Sequence, residues 1–296
     1  MNGYGLASWL KIEEYKGHFV TMSYQQELDG GLYLRLNKLN QNLESKHELL
    51  GRVPISNQCR SISTGNYSGD MGIVAGGMDD GTVMLWDVAT IMNEGDTVAN
   101  GTESASLVSA QLVHDGSSVN TIEFNPNIQN LVASGGSEVL IQDIQENISD
   151  PNVFVPGEPN FHEGATISAI SWNKVVPYIL ASAANNGSVV VWDLKNSKAV
   201  FNFKDPNLVS YAYDPFSESS EDQVTANYNI LWSLEVPTQF LISSDNANAP
   251  MTMYDLRKPS TPLLTVTDVH NGEVCSTAWC PHDPKIIASS SYEGRT

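Results

Sequence analysis

The sequence has few basic residues. Lys and Arg number 15 against 34 Asp and Glu among 296 residues, and the formal net charge is −19. Phosphate-rich surfaces are bound by clustered Lys and Arg, so the composition argues against nucleic acid and anionic lipid as direct partners. We interpret the acidity first as a solvated surface that keeps a large domain in solution. Electrostatic steering toward a basic protein partner is the alternative.

Cysteine and long apolar runs are also rare. The three cysteines, Cys59, Cys275 and Cys280, give no even disulfide framework, which fits a reducing compartment such as the cytoplasm. No run approaches the roughly 18 apolar residues of a membrane span. Residues 1–17 lack a basic region followed by an apolar one, so we predict no secretory signal and no direct membrane insertion.

Sequence motifs for phosphate binding, catalysis and metal binding are missing as well. The sequence contains no Gly-x-x-x-x-Gly-Lys loop, Cys-x-x-Cys pair, His-Glu-x-x-His or Gly-x-Ser-x-Gly motif. Cys275 and Cys280 are five apart in a predicted strand, which places them on opposite faces and argues against a shared metal. The acidic residues 214–222 lack the ligand spacing of a calcium loop. We therefore predict no enzyme activity, no cofactor and no metal.

Short strand signals fill residues 162–203. The stretch predicts four strands in a row, at Ile167 to Trp172, Tyr178 to Ala183, Ser188 to Trp192 and Ala199 to Phe203. Asn and Gly separate the first three and favour tight turns. The third run is apolar at consecutive positions, as in a strand covered on both faces, whereas the fourth alternates. A small sheet of this kind buries its faces only against copies of itself.

Similar units recur along the chain. The aromatic-Asp phrase that ends the third strand, or its variant, recurs at Trp86-Asp87, Gln142-Asp143, Trp192-Asp193 and Tyr254-Asp255, about 50–60 residues apart. Small residues such as Ala and Ser mark the preceding strands. This self-similarity predicts an all-β fold, a WD-repeat β-propeller. Loop insertions lengthen the repeat beyond the roughly 40–45 residues of a compact WD unit.

We expect one propeller domain over residues 1–296. The approximate blades are 1–53, 54–112, 113–161, 162–207, 208–266 and an incomplete 267–296. The sixth repeat shows only about half its strands, so we expect about five and a half blades of a natural ring of seven, open or incomplete. The 296 residues would then be a piece of a longer gene product.

Several segments fit the repeat less well. Residues 40–53 fit either the outer strand of a weak first blade or a short helix. Residues 93–106 and the proline-bearing 146–161 are predicted as loops. The acidic insertion 214–227 is predicted as a disordered or partner-facing loop. Between blades we expect the burial of five side chains: Val83, Leu85, Val189, Val191 and Met253.

Three histidines recur before the first strand of a repeat: His114, His162 and His270. We interpret them as structural residues satisfied within their own blades, because separate blades would hold them too far apart to share a ligand. We interpret Trp86 and Trp192 as structural too, because the indole N–H of each can find a partner within its blade. Asp80 occupies the turn of the second repeat, but Asn186 replaces that Asp in the fourth. We therefore expect incomplete polar networks and greater reliance on apolar packing.

The order of these repeats resembles a known family. The phrases SAISWNKVVPYILASA and YDLRKPSTPL, with the irregular blade lengths, are similar to the amino-terminal propeller of the SEC31 family, the larger outer-coat subunit of COPII. Departures are the weak first blade, Gln142 and Tyr254 in place of Trp, and the acidic insertion.

The resemblance implies a non-enzymatic scaffold in vesicle transport from the endoplasmic reticulum to the Golgi. Its implied partners are the smaller WD-repeat subunit of the coat and other copies of itself at cage vertices. Its implied location is cytoplasmic, at endoplasmic reticulum exit sites and on COPII vesicles. The segment that the family donates to the smaller subunit is not among these residues, so the isolated chain should bind that subunit poorly.

Two other classes of function remain open at this point. Tyr254-Asp255-Leu256-Arg257 is close to a Trp-Asp-x-Arg phrase of substrate receptors in cullin-type ubiquitin ligases, although Arg257 fits local pairing equally well. An enzyme with a channel site would need converging His, Asp or metal ligands on inner strands. The predicted inner strands carry Ile, Ala, Ser and Val instead.

Overall fold

The fold was obtained as a computed structural model. It describes residues 6–10, 15–23, 31–40, 47–67, 71–94, 105–204, 227–245, 250–267, 269–270, 274–280 and 282–291. These residues pack into two compact units. The first comprises residues 1–136 and 140–154, and the second comprises residues 137–139 and 155–296. The predicted insertion 214–227 lies outside the described residues except for Asn227.

The first unit contains three four-stranded antiparallel sheets and one short helix. Each sheet uses four strands that are consecutive in the chain, β1–β4, β5–β8 and β9–β12. The elements are β1 (Leu6–Trp9), β2 (His18–Met22), β3 (Leu32–Leu39), β4 (His47–Ile55), β5 (Cys59–Tyr67), β6 (Met71–Met78), β7 (Thr82–Asp87), α1 (Val88–Glu94), β8 (Leu107–Leu112), β9 (Thr121–Phe124), β10 (Leu131–Gly135), β11 (Val139–Asp143) and β12 (Asn152–Phe154).

The second unit contains two further four-stranded sheets, β13–β16 and β17–β20, and the two-stranded sheet β21–β22. Its strands are β13 (Ile167–Trp172), β14 (Ile179–Ala184), β15 (Ser188–Asp193), β16 (Lys198–Lys204), β17 (Tyr228–Trp232), β18 (Gln239–Ser244), β19 (Met251–Asp255), β20 (Leu264–Val266), β21 (Val274–Trp279) and β22 (Ile287–Ser291). The sequence predicted the four strands of the first of these sheets to within one residue at each end.

Strand burial follows the apolar pattern of the sequence. The consecutive valines of β15, from Val189 to Val191, are at most 1% exposed, which confirms a strand covered on both faces. Outer strand β16 alternates between exposed and half-buried side chains, with Phe201 and Phe203 on the half-buried face. The antiparallel pairing of β14 with β15 places Leu180 opposite Trp192 and Ala183 opposite Val189.

Apolar side chains fill the space between consecutive blades within each unit. Val83 and Leu85 of the second blade pack in one cluster with Ile122 and Phe124 of the third. In the second unit, Val189 and Val191 share a cluster with Ile230, Trp232 and Phe240. The predicted burial of these four aliphatic residues between blades is confirmed. Burying such a side chain stabilises the fold by about 1.5–3 kcal/mol.

The prediction for Met253 was wrong, since its side chain is only half-buried. Met253 matches Val191 in the repeat, and Val191 is covered by a four-stranded neighbour. The sheet that follows β19 has two described strands, β21 and β22, so less surface is available to cover this position.

The hydroxyl groups of first strands link neighbouring blades. Ser61 and Ser63 of β5 accept hydrogen bonds from the backbone N–H groups of Ile122 (2.9 Å) and Phe124 (3.0 Å) in β9. Ser168 of β13 accepts the same kind of bond from Tyr228 of β17 at 3.1 Å. The first strand of each sheet has one edge that pairs with no other strand of that sheet. The serine hydroxyls of the adjacent blade therefore satisfy backbone N–H groups that would otherwise be buried and unpaired.

Three secondary-structure predictions are corrected or completed. Residues 93–94 belong to α1, whereas they were predicted to begin a loop. Asp87 begins this helix by accepting hydrogen bonds from the backbone N–H (3.0 Å) and hydroxyl of Thr90. Within the predicted loop 146–161, residues Asn152–Phe154 form β12 and pair with β11. Strand β4 is the outer strand of the first blade and extends to Ile55.

Candidate functional site

Aspartates end the third strand of four blades and turn the chain into the next segment. Each carboxylate accepts a hydrogen bond from the backbone N–H two residues later, which is the geometry of an Asx turn. The pairs are Asp87 with Ala89 (3.3 Å), Asp143 with Gln145 (2.9 Å), Asp193 with Lys195 (3.0 Å) and Asp255 with Arg257 (3.0 Å). Hydrogen bonds from the Asn196 side chain and nearby backbone groups lower the pKa of Asp193. These aspartates are turn residues.

A buried polar network crosses the fourth blade. The Nε2 atom of His162 lies 2.7 Å from the Oγ atom of Ser182, and its Nδ1 atom lies 2.7 Å from the Oγ atom of Ser188. The indole Nε1–H of Trp192 donates to the same Ser182 oxygen at 2.8 Å. Every polar atom of the His162 and Trp192 rings is therefore satisfied.

The expectation of an incomplete network is wrong for this blade. Asn186 indeed replaces the turn Asp, but Ser188 takes over the contact with the histidine Nδ1. Asn186 instead accepts a hydrogen bond from the backbone N–H of Ser188 at 3.0 Å and donates to the His162 carbonyl at 3.2 Å. The sequence analysis assigned neither Ser182 nor Ser188 a role in this network. An Ala-Ser phrase, which the second strands β10, β14 and β22 share, is the signal that marks Ser182.

The other two recurrent histidines, His114 and His270, also contact a serine hydroxyl. His114 lies 2.9 Å from Ser134, and His270 lies 2.8 Å from Ser289, each serine belonging to the second strand of the same blade. Burial lowers the pKa of His114 and of His162 to about 4, so both rings are neutral at physiological pH. The structure thus pairs each histidine with a serine of its own sheet.

The aromatic position of the repeat stays in the core even where Trp is replaced. Trp86 is buried in the cluster of the first and second blades. Gln142 reaches across to the second blade and donates to the Oε1 atom of Gln111 at 3.1 Å. Tyr254 packs between Phe203, at a ring-centroid distance of 4.9 Å, and Phe240, at 6.0 Å. Packing, together with a polar contact at Gln142, substitutes for the missing indole.

Arg257 forms a local ion pair with Asp255, which agrees with the interpretation that this arginine pairs with a nearby residue. Its guanidinium donates to Asp255, with the shortest nitrogen–oxygen distance at 2.5 Å. This pair holds the pKa of the Asp255 carboxyl well below its usual range. In a ubiquitin-ligase receptor this arginine would be available to a partner. Here its guanidinium is paired with the turn residue Asp255.

An exposed apolar loop joins β13 to β14 in the second unit. Val175, Val176 and Tyr178 are 45%, 39% and 45% exposed. The loop is nevertheless anchored, because Asn173 accepts hydrogen bonds from the backbone N–H groups of Val175 (3.0 Å) and Val176 (2.8 Å). Asn173 also donates to the Pro237 carbonyl of the next blade at 2.8 Å. We call residues 173–178 the apolar loop; it presents apolar side chains to solvent on an anchored backbone.

The described residues hold no group of three or more His, Cys, Asp or Glu side chains arranged to bind a metal ion. Among the same residues, no helix is long and apolar enough to cross a bilayer.

Comparison with known proteins identifies the repeat and the relatives. Residues 158–193 match the family described as WD domain, G-beta repeat. The protein transport protein SEC31 of Dictyostelium discoideum is 30% identical over 300 residues, a match that covers 98% of this chain and 21% of that protein. The chain is a homologue of the SEC31 proteins. The protein transport protein Sec31B of Mus musculus is 26% identical, with 97% of this chain and 24% of that protein covered.

Solved structures share this fold. A chain of the COPII outer coat vertex on membranes matches with a TM-score of 0.72 and 21% identity, over 98% of this chain and 70% of that one. The SEC31 homologue therefore has a WD-repeat β-propeller fold, with five four-stranded blades and one two-stranded sheet among the described residues. The chain spans about a fifth to a quarter of the curated relatives' length.

Proposed function

We propose that this chain is a non-enzymatic scaffold of the COPII outer coat in transport from the endoplasmic reticulum to the Golgi. The observation that carries the proposal is similarity to SEC31 transport proteins along 98% of the chain. The match in fold to an outer coat vertex chain supports it. Transport-protein relatives do not favour the alternative of a ubiquitin-ligase receptor.

The chemistry of the site supports a scaffold over an enzyme. His114 and His162 are buried against serines, and burial lowers the pKa of each. A general base would need a histidine that is accessible and titrates near neutral pH. What these blades present outward is turns and anchored loops, which suit protein contacts.

We propose other coat subunits as the partners, namely the smaller WD-repeat subunit and further copies of this protein at cage vertices. The location that follows is the cytoplasmic face of exit sites and COPII vesicles. The apolar loop is the surface we propose for one such contact, because Val175, Val176 and Tyr178 are exposed while their backbone is held in place.

Affinity capture of the tagged protein from its own cells, read by mass spectrometry, tests this function. We expect coat subunits among the captured proteins, and fewer of them for Val175→Ser/Val176→Ser. Val200→Ser, at an exposed position of β16, is the matched control and should capture as wild type does. Capture of a ubiquitin-ligase adaptor without coat subunits would contradict the proposal.

The isolated chain gives a second test. We predict that residues 1–296 bind the purified smaller coat subunit weakly, because the match covers only 21% of the SEC31 relative and the resemblance to that family assigns this contact to a donated segment. Isothermal titration of the two purified proteins measures the affinity. Tight, stoichiometric binding would show that the contact depends on this domain and not on a donated segment.

A further inference from the structure

A small cavity of about 250 Å³ opens beside the fourth blade, within the second unit. Its apolar walls come from Val155, Pro156, Pro159 and two aromatic rings, Phe161 and Trp192. Drug-sized ligands occupy cavities of roughly 300–1,000 Å³, so this one suits a single large side chain. The cavity is separate from the apolar loop and from the turn aspartates.

The walls of the cavity are preformed. The Phe161 ring meets the Trp192 ring edge-on, with centroids 5.4 Å apart. The segment that carries Phe161 is held by its own backbone hydrogen bonds, from Glu163 N–H to Asn160 O (3.1 Å) and from Ala165 N–H to His162 O (3.0 Å). A ligand would therefore meet a site that needs little ordering.

Two carboxylates border the cavity, from Glu138 and Glu158. Both residues are exposed, and in the described part of the chain no hydrogen bond or ion pair engages either carboxylate. Glu163, their neighbour in the chain segment, is by contrast neutralised by Lys204 at 2.6 Å. No lining residue is Lys or Arg. The cavity thus combines an aromatic wall with uncompensated negative charge.

We propose that this cavity binds an arginine side chain of a partner peptide. The guanidinium stacks on the Phe161 ring and donates to Glu138 and Glu158, while the methylene stem lies against Val155 and Pro159. A planar group with several fixed donors suits two carboxylates better than a lysine ammonium does. The proposal is independent of the coat function, because it rests on this cavity alone.

Titration with N-acetyl-L-arginine methylamide, followed by two-dimensional NMR of the whole chain, tests the proposal. We expect saturable shifts at Phe161 and at the indole N–H of Trp192. The neutral citrulline analogue, which has the same shape, should bind about tenfold more weakly because it lacks the charge. The lysine analogue should fall between the two. Equal affinity for the arginine and citrulline ligands, or shifts that map elsewhere, would overturn the site.

Matched charge variants separate this site from general attraction to an acidic chain. Glu138→Gln/Glu158→Gln should lower the arginine affinity about tenfold. The control, Glu146→Gln/Glu235→Gln, removes the same charge at exposed positions outside the cavity and should leave affinity unchanged. Phe161→Leu keeps an apolar wall without the aromatic face and should weaken binding several-fold. Equal losses in both double variants would overturn the proposal.

Discussion

At the scale of single residues, serine hydroxyls satisfy the buried polar atoms of the fourth blade. Ser182 contacts both His162 and Trp192, so one oxygen serves two buried rings. The sequence identified both rings by their spacing. It did not identify Ser188, because a serine after Asn-Gly is also an ordinary turn residue. Only the fold shows that this hydroxyl takes the place of the missing aspartate.

Ser182→Ala should therefore destabilise the protein. The change leaves the Nε2 atom of His162 and the Nε1–H of Trp192 buried without a partner, at a cost of about 2–4 kcal/mol in the free energy of unfolding. Urea denaturation measures this cost. Ser149→Ala, at an exposed serine, is the control and should change stability by less than about 0.5 kcal/mol. Equal stability of both variants would show that the network is not stabilising.

Stability should also fall in mild acid. Burial lowers the pKa of His114 and His162 to about 4, below the value of about 6.5 in the unfolded chain. The unfolded state therefore binds more protons between these two values, and stability is lost as pH falls below about 6.5. From pH 7.5 to 5 we expect a loss of about 2 kcal/mol per histidine in the free energy of unfolding.

Denaturation at several pH values measures this slope. His114→Asn should reduce the slope, whereas Ser149→Ala, which removes no titratable group, should leave it unchanged. A flat stability profile between pH 7.5 and 5 would contradict the burial of neutral imidazoles.

The cysteines should differ in reactivity. Burial raises the pKa of the Cys59 thiol to about 12, so almost no thiolate forms near neutral pH. Cys275 is exposed and Cys280 half-buried, and neither forms a disulfide among the described residues. We expect iodoacetamide to modify Cys275 fastest in the folded protein and Cys59 only after unfolding. Peptide mass spectrometry reads the sites, and modification of native Cys59 at the rate of Cys275 would contradict its burial.

At the scale of elements, apolar periodicity predicted the regular strands well, but it missed the short strand β12 and the helix α1. The four strands from Ile167 to Lys204 were predicted because their two patterns, continuous and alternating, are distinct. The segment 152–154 was missed because flanking prolines resemble a loop, although proline is tolerated beside an outer strand. Helix α1 was missed because Asp87 reads as the end of a strand. Its second role, as a helix cap, depends on Thr90 three residues later.

The turn between β6 and β7 should tolerate only glycine. Gly81 has φ +89°, and an added Cβ would lie 1.9 Å from the His114 carbonyl oxygen. Gly81→Ala should therefore cost more than about 3 kcal/mol, from backbone strain and displacement of that carbonyl. Gly116→Ala is the matched control, with φ +73° and open space around the added carbon. It should cost about 1 kcal/mol.

Thermal unfolding of both glycine variants measures the difference. Similar melting temperatures for Gly81→Ala and Gly116→Ala would mean that strain alone acts at this turn. A much lower value for Gly81→Ala would show that the close contact with the His114 carbonyl fixes the turn.

At the scale of the whole molecule, the repeats predicted the fold class, and their order and phrases resembled the SEC31 family. The cavity beside Trp192 could not be predicted from the sequence. Its walls come from segments that are apart in the chain, 137–139 and 155–164, and only the fold brings them together. The prediction that Met253 is buried failed for the same reason, because the burial of this side chain depends on how many strands the neighbouring sheet has. Local pattern thus predicts elements, and surfaces between them require the structure.

We propose that this chain can serve as the propeller of a COPII outer-coat subunit. The most direct measurement replaces the matching segment of SEC31 in Dictyostelium discoideum with this chain and follows secretory cargo from the endoplasmic reticulum to the Golgi. We predict that the chimera localises to exit sites and that cargo transport continues, whereas the same chimera carrying Gly81→Ala fails. A stable, folded chimera that stays diffuse in the cytoplasm and does not support transport would contradict the claim.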